Sequence, residues 1–139
     1  MTLIDTNVLI DIVGEDPVWS AWSGERVLAA VRSGDASVSV VVVAELSRDF
    51  HSIDHLRDTL SALTIDTLDL DDMPAFVAGQ RFAAYRGQRA EDRSARVLPD
   101  FLIGAHALVL GRPLLTRDIA IYRRYFPELT LITPETEND

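Results

Sequence analysis

The order of apolar runs in this sequence predicts an α/β fold: a three-layer α/β/α sandwich around a short central parallel sheet. Three observations carry the expectation. The runs "TLID", "ASVSV", "TIDTLDL", "PLLT" and "LTLIT" read as short strands, and helical segments stand between them. The 139 residues suffice for one domain with one core, expected over 1–133, before an acidic tail at 134–139 expected to be disordered. A hydrophobic fraction of 47% fits a folded chain.

The elements follow in order. "TLID" runs straight into a helix from Thr6 to about Val13. In "DPVWSAWSGERVLAAVRSGD", Asp16 is the expected N-cap and Pro17 the first helical residue. Val27, Leu28 and Val31 keep helical spacing there, and Gly34 is the stop. After the strand "ASVSV", Ser39 is expected to cap a helix through Val42, Leu46 and Phe50. Asp54 is the expected cap of "DHLRDTLSAL". "TIDTLDL" alternates as a strand does, and "DDMPAFVAGQRFAAYRGQ" is a longer helix. The arginine-rich stretch up to Leu98 reads as a loop or frayed helix. Pro99 stands near the start of the helix "PDFLIGAHALVLG", with Gly111 just past its end. "PLLT", the short helix "DIAIYRRYF" and "LTLIT" complete the chain. With right-handed crossovers, functional residues should gather outside the carboxyl ends of the strands, where strand order reverses.

Composition excludes several classes. No apolar run reaches membrane-span length, and the longest, Val38 to Leu46, is interrupted by Ser39 and Glu45. The first residues lack the pattern of a signal peptide, so the cytoplasm is the expected location. Without cysteine there is no disulfide and no thiolate metal site. A net charge of −9 and a pI near 4.7 argue against a general polyanion binder. The charge is uneven, however. Between Gly79 and Arg96, Arg81, Arg86, Arg89, Arg93 and Arg96 face only Glu91 and Asp92, a local net charge of +3. All 13 basic residues are arginine.

Asp5 ends the first strand, and Asp118 follows "LLTR" at the end of another. If those strands are parallel neighbours, both acids lie at one edge. Asp100 is expected at a helix start near the same edge, and Glu45 lies close to the core stripe of its helix. Each acid alone has a plain structural reading. Asp5 and Asp118 could be N-caps, Asp100 could complement a helix dipole, and Glu45 could be solvated. Together, four close carboxylates repel unless a cation neutralises them. The hard, oxygen-liganded cation suited to that task is Mg²⁺ or Mn²⁺. Such a pocket positions one or two metals and a water for attack on a phosphodiester.

The segments "LIDTNVLID", "VVVVAEL", "LPDFLIGAHALVLGRPLLTRD" and "YFPELTLITP" resemble the PIN-domain fold. More narrowly, they resemble the VapC-type toxins of bacterial and archaeal toxin–antitoxin pairs. The resemblance covers essentially the whole chain, and it implies a PIN-like, Rossmann-like sandwich. It places Asp5, Glu45, Asp100 and Asp118 in the family's acidic metal-binding set and Thr6, Asn7 and Thr116 in supporting positions. It also implies a metal-dependent endoribonuclease, a cognate antitoxin that holds it inactive, and a homodimer. The segment from Phe50 to Arg96 matches no motif, so the RNA and the sequence cut are not implied.

Arg86, Arg89, Arg93 and Arg96 could guide an RNA backbone toward Asp100, with Tyr85 available to stack; alternatively they form a solvated helix end and loop. His51 and His55 have a metal-compatible spacing, but solvent-facing histidines are the better account. His106, Trp19, Trp22, Phe82 and Tyr85 read as core or interface residues. Capping suffices for Asp66, Asp69, Asp71 and Asp72. A phosphatase with Asp5 as nucleophile is disfavoured by Asn7 in place of a second acid and by the missing lysine, which also excludes a P-loop. The remaining alternatives are a PIN-fold nuclease outside a toxin–antitoxin pair and a non-catalytic Rossmann-like interaction module.

Overall fold

A computed structural model describes residues 1–87 and 94–134, with side chains for all of these except 94–96. The elements are β1 (Thr2–Ile4), α1 (Thr6–Val13), α2 (Ser20–Arg32), β2 (Ala36–Ser39), α3 (Val40–Leu46), α4 (Ile53–Ala62), β3 (Ile65–Leu68), α5 (Asp72–Arg86), α6 (Ser94–Leu110), β4 (Leu114–Leu115), α7 (Ala120–Tyr125) and β5 (Leu131–Ile132). The strands form one parallel sheet in the order β3-β2-β1-β4-β5. Chain direction across the sheet reverses between β1 and β4, so the carboxyl ends of those two strands border the crevice such a reversal leaves. The three-layer α/β/α architecture expected from the sequence is the one observed.

Burial explains why the strands are so short and so apolar. Leu3, Ile4, Val38 and Leu114 are fully buried, because helices cover both faces of the sheet. Val8, Val42, Phe101, Ile103 and Tyr122 bring the helices onto it. Phe82, Tyr85, Phe101, Tyr125 and Phe126 form one aromatic cluster, with ring centroids about 5–6 Å apart, that joins α5, α6 and α7. Gly104 permits the contact: a Cβ there would stand 3.0 Å from the Phe126 ring. Gly111 ends α6 in the left-handed region, at φ 66°.

Several local expectations need correction. Asp16 does accept from the Val18 and Trp19 amides, both at 2.8 Å, but the turn it heads precedes the α-helix, which starts at Ser20. The helix after β2 stops at Leu46 and tightens into a 3₁₀ turn at Ser47–Asp49 instead of reaching Phe50. Ser52, not Asp54, caps α4: its extended backbone lets the hydroxyl accept from the His55 amide, while Asp54 pairs loosely with Arg57. Asp71 occupies the N-cap position of α5 without a side-chain cap bond. The helix carrying Asp100 begins at Ser94, so Pro99 lies inside it and Asp100 lies in its second turn. That removes the helix-dipole reading of Asp100, which applies only to the first turn.

Candidate active site

Asp5 follows β1 and is the N-cap of α1, only 2% exposed. Its amide donates to the Leu115 carbonyl at 2.9 Å, which extends the β1–β4 ladder and sets it beside Thr116. Thr116 is fixed in turn by its own amide donating to Ile132. Both carboxylate oxygens of Asp5 are engaged. Oδ1 accepts from the Thr6 amide at 2.8 Å. Oδ2 accepts from the Thr116 hydroxyl and the Tyr122 phenol, each at 2.8 Å, with Asn7 Nδ2 at 3.4 Å. One oxygen thus serves the cap of α1 and the other takes the contacts from Thr116, Tyr122 and Asn7.

The supporting residues lock neighbouring segments. Thr6 Oγ1 donates to Glu45 Oε1 at 2.5 Å and so ties α3 to α1. Asn7 Nδ2 donates to Thr116 Oγ1 at 3.2 Å, and Asn7 Oδ1 accepts from the Arg117 amide at 3.1 Å. The Asp118 amide donates to Thr116 Oγ1 at 3.1 Å. Asp118 is exposed and is not the cap of α7, whose N-cap position is Ile119. Asp100 is partly buried and Glu45 partly exposed.

Asp100 feels the charge of the other three acids. Burial, followed by the charges of Asp5, Glu45 and Asp118, pushes Asp100 up to about 7. Burial raises Asp5 to about 6, against the hydrogen bonds from Thr116, Tyr122 and Thr6 and with the Glu45 charge adding to the rise. Among the described residues, no three His, Asp or Glu side chains close around one point as they stand. The donor set nevertheless suits a hard divalent cation: all oxygen, anionic when ionised, and repulsive until neutralised.

Two parts of this site escaped the sequence reading. Tyr122, 1% exposed, reads as an ordinary core aromatic; its place four residues after Asp118 was the available signal, since that spacing returns to the same helix face. Burial and the neighbouring carboxylates hold its phenol well above its usual range. The second is Asp11, 1% exposed, which accepts two hydrogen bonds from Arg117 at 2.6 and 2.7 Å and one from Ser23 at 2.7 Å. Arg117 also lies 5.0 Å from the Trp19 ring centroid. Asn7 and Asp11, one helical turn apart, thus grip the backbone and the side chain of the residue preceding Asp118.

The arginine segment divides. Arg81 pairs with Glu128, donates to the Tyr125 carbonyl and lies over Phe126, so it serves the fold. Arg86 is exposed on the last turn of α5. Arg89 and Arg93 lie outside the described residues, as does the side chain of Arg96. Tyr85 is buried in the aromatic cluster, which corrects its expected availability as an open stacking surface. His51 and His55 are exposed and stacked on one another, and the His51 amide donates to Nδ1 of His55.

A family model for the PIN domain matches residues 2–127. No curated protein sequence is significantly similar to the chain. Among solved structures, VapBC2 from Rickettsia felis bound to a promoter DNA fragment aligns with TM-score 0.70 at 19% identity, over 95% of this chain and 97% of that one. A toxin–antitoxin complex from Klebsiella pneumoniae aligns with TM-score 0.57 at 22% identity, over 96% and 98%. FitAcB from Neisseria gonorrhoeae aligns with TM-score 0.61 at 24% identity, over 97% and 99%.

Proposed function

The chain belongs to the PIN-domain family, and from that premise we propose that it is a metal-dependent endoribonuclease, the toxin of a toxin–antitoxin pair. The observation that carries the reading is the pocket where Asp100 is raised to about 7 by burial and by three neighbouring carboxylates. A protein keeps such mutually repelling groups together where a cation is to be bound. Asp5, Asp100 and Asp118 would hold Mg²⁺ or Mn²⁺ through oxygen, with Glu45 beside it. When bound, the ion would supply charge neutralisation at the scissile phosphate and activation of water.

The chain's own residues supply orientation. Thr6, Thr116 and Tyr122 set the plane of the Asp5 carboxylate before any ion arrives. Glu45, steadied by Thr6, is the base positioned to take a proton from the attacking water. The Arg117–Asp11 pair anchors the turn that presents Asp118. Unpaired RNA is the substrate, because unstacked strands enter a narrow cleft that duplexes do not. Arg86, Arg89, Arg93 and Arg96 would track its backbone.

The toxin–antitoxin description of the Klebsiella pneumoniae neighbour supports a protein antitoxin as partner. An antitoxin arginine or lysine entering among the carboxylates would replace the cation's charge and silence the site. A homodimer and a cytoplasmic location complete the proposal; among the described residues no helix is long and apolar enough to cross a membrane. The test is a panel of single-stranded and hairpin RNAs with Mg²⁺ or Mn²⁺, run beside a phosphatase substrate. RNA cleavage should vanish in EDTA and in Asp5→Asn and Asp118→Asn, with unchanged circular dichroism. Full activity in EDTA, or in both variants, rejects the proposal.

A further inference from the structure

Arg117 directly precedes Asp118, and a guanidinium is the kind of cation that competes with a metal ion for a carboxylate. In the structure its hydrogen bonds go elsewhere. Nε donates to Asp11 Oδ2 at 2.6 Å and Nη2 donates to Asp11 Oδ1 at 2.7 Å. The Ser23 hydroxyl donates to the same Oδ2 at 2.7 Å, which fixes the carboxylate from α2. The guanidinium carbon lies 5.0 Å from the Trp19 ring centroid. Those hydrogen bonds, and then the charges of Asp11, Asp16 and Asp118, favour the cationic form against burial.

Three carboxylates therefore act on one cation, and geometry decides among them. Asp11 is 1% exposed and presents both oxygens to the guanidinium fork. Asp16 already spends one oxygen on the Val18 and Trp19 amides, and Asp118 is exposed. A bidentate pair shielded from water is strong, whereas a pair with an exposed carboxylate is weak. The backbone of the turn has grips of its own: the Arg117 amide donates to Asn7 Oδ1 and the Asp118 amide to Thr116 Oγ1, each at 3.1 Å. Those bonds do not involve the Arg117 side chain, so its pairing with Asp11 has a consequence beyond anchoring the turn. We infer that Asp11 is a positioning residue that holds the Arg117 guanidinium away from Asp118 and so keeps that acid open to a divalent cation. The inference rests on the metal-dependent reading above.

The test measures Mn²⁺ binding by isothermal titration calorimetry, without RNA, in variants whose circular dichroism matches wild type. Asp11→Asn removes the charge that holds the guanidinium and should weaken binding about tenfold, the scale of losing a residue that stands behind a metal ligand. Adding Arg117→Leu should recover most of that loss, because the competing cation is gone; a merely structural role predicts that the second substitution adds damage. Asp16→Asn removes the same charge near Arg117 while the bidentate pair stays, and should leave affinity within about twofold of wild type. Asp11→Leu, alone and with Arg117→Leu, makes the same comparison if the asparagine variant does not fold. Wild-type affinity in the Asp11 variant, a double variant no better than the single, or an equal loss in Asp16→Asn overturns the inference. Asp118→Asn separates the two levels. If wild type binds Mn²⁺ and Asp118→Asn does not, the metal reading stands whatever Asp11 does; if wild type binds no Mn²⁺, the metal reading fails and the role of Asp11 with it.

Discussion

Replacing Asp100 by asparagine should make the metal-free protein more stable at pH 8 and nearly unchanged at pH 4. In the folded chain, burial and then the charges of Asp5, Glu45 and Asp118 lift this carboxyl from 3.8 to about 7. The sign follows from counting protons. Below pH 3.8 the group is protonated in both states and costs nothing. Between about pH 4 and 7 the native state keeps a proton that the unfolded chain has lost, so stability falls as pH rises. Above about 7 the full penalty stands. A shift of roughly 3 pKa units corresponds to about 4 kcal/mol. That is an upper bound, because Asp100 is only partly covered and the exposed Asp118 and water relax around its charge; a gain of about 1–2 kcal/mol is expected from the variant at pH 8. Among the described residues no hydrogen bond contributes to the state of Asp100, so the amide forfeits none there. Urea unfolding in EDTA at pH 4, 6 and 8, followed by the fluorescence of Trp19 and Trp22, measures the difference. Mn²⁺ at 100 times its dissociation constant should add about 2.7 kcal/mol to wild type and less to the variant. A gap of equal size at pH 4 and pH 8, or a wild type more stable at pH 8, would refute the repulsion argument.

Three further outcomes follow. Tyr122→Phe keeps the ring that fills the core but removes a donor to Asp5, so Mn²⁺ affinity by calorimetry should fall about tenfold; unchanged affinity would show that the phenol does not orient the ligand. Arg117→Ala leaves Asp11 buried with Ser23 as its remaining side-chain partner among the described residues and should cost about 3–5 kcal/mol in urea unfolding, more than Asp11→Leu/Arg117→Leu, and a loss below about 1 kcal/mol speaks against it. Ser52→Ala should lower stability by about 1 kcal/mol and Asp54→Ala by less, and the opposite ranking would return the cap of α4 to Asp54.

The sheet and its site edge were legible because parallel strands buried on both faces leave apolar runs that polar turns interrupt, and Asp5 and Asp118 stand at such interruptions. What was not legible depends on choices the sequence leaves degenerate. Ser52 and Asp54 are both good caps, and the backbone geometry at Ser52 decides between them. Pro99 usually marks a helix start, yet α6 begins at Ser94 and extends through it. Tyr122 looks like core from its spacing, and it is core; its hydroxyl reaches Asp5 because β4 lies against β1, pairing Leu3 with Leu114 and Ile4 with Leu115 from far along the chain. Asp11 reads as one more acid on a helix until Arg117 arrives from the far end of the chain.

That separation has a consequence in time. Synthesis proceeds from the N-terminus, and domains fold as their segments appear. Asp5 is made early, but Thr116 comes 111 residues later and Tyr122 later still. Until then β1 lacks β4 on one side, and the Asp5 carboxylate lacks both hydroxyls that hold Oδ2. A nascent chain can pair β1 with β2, and β2 with β3, and still have no assembled centre. The hydroxyls that hold Asp5 Oδ2 arrive only when Thr116 and Tyr122 have been made.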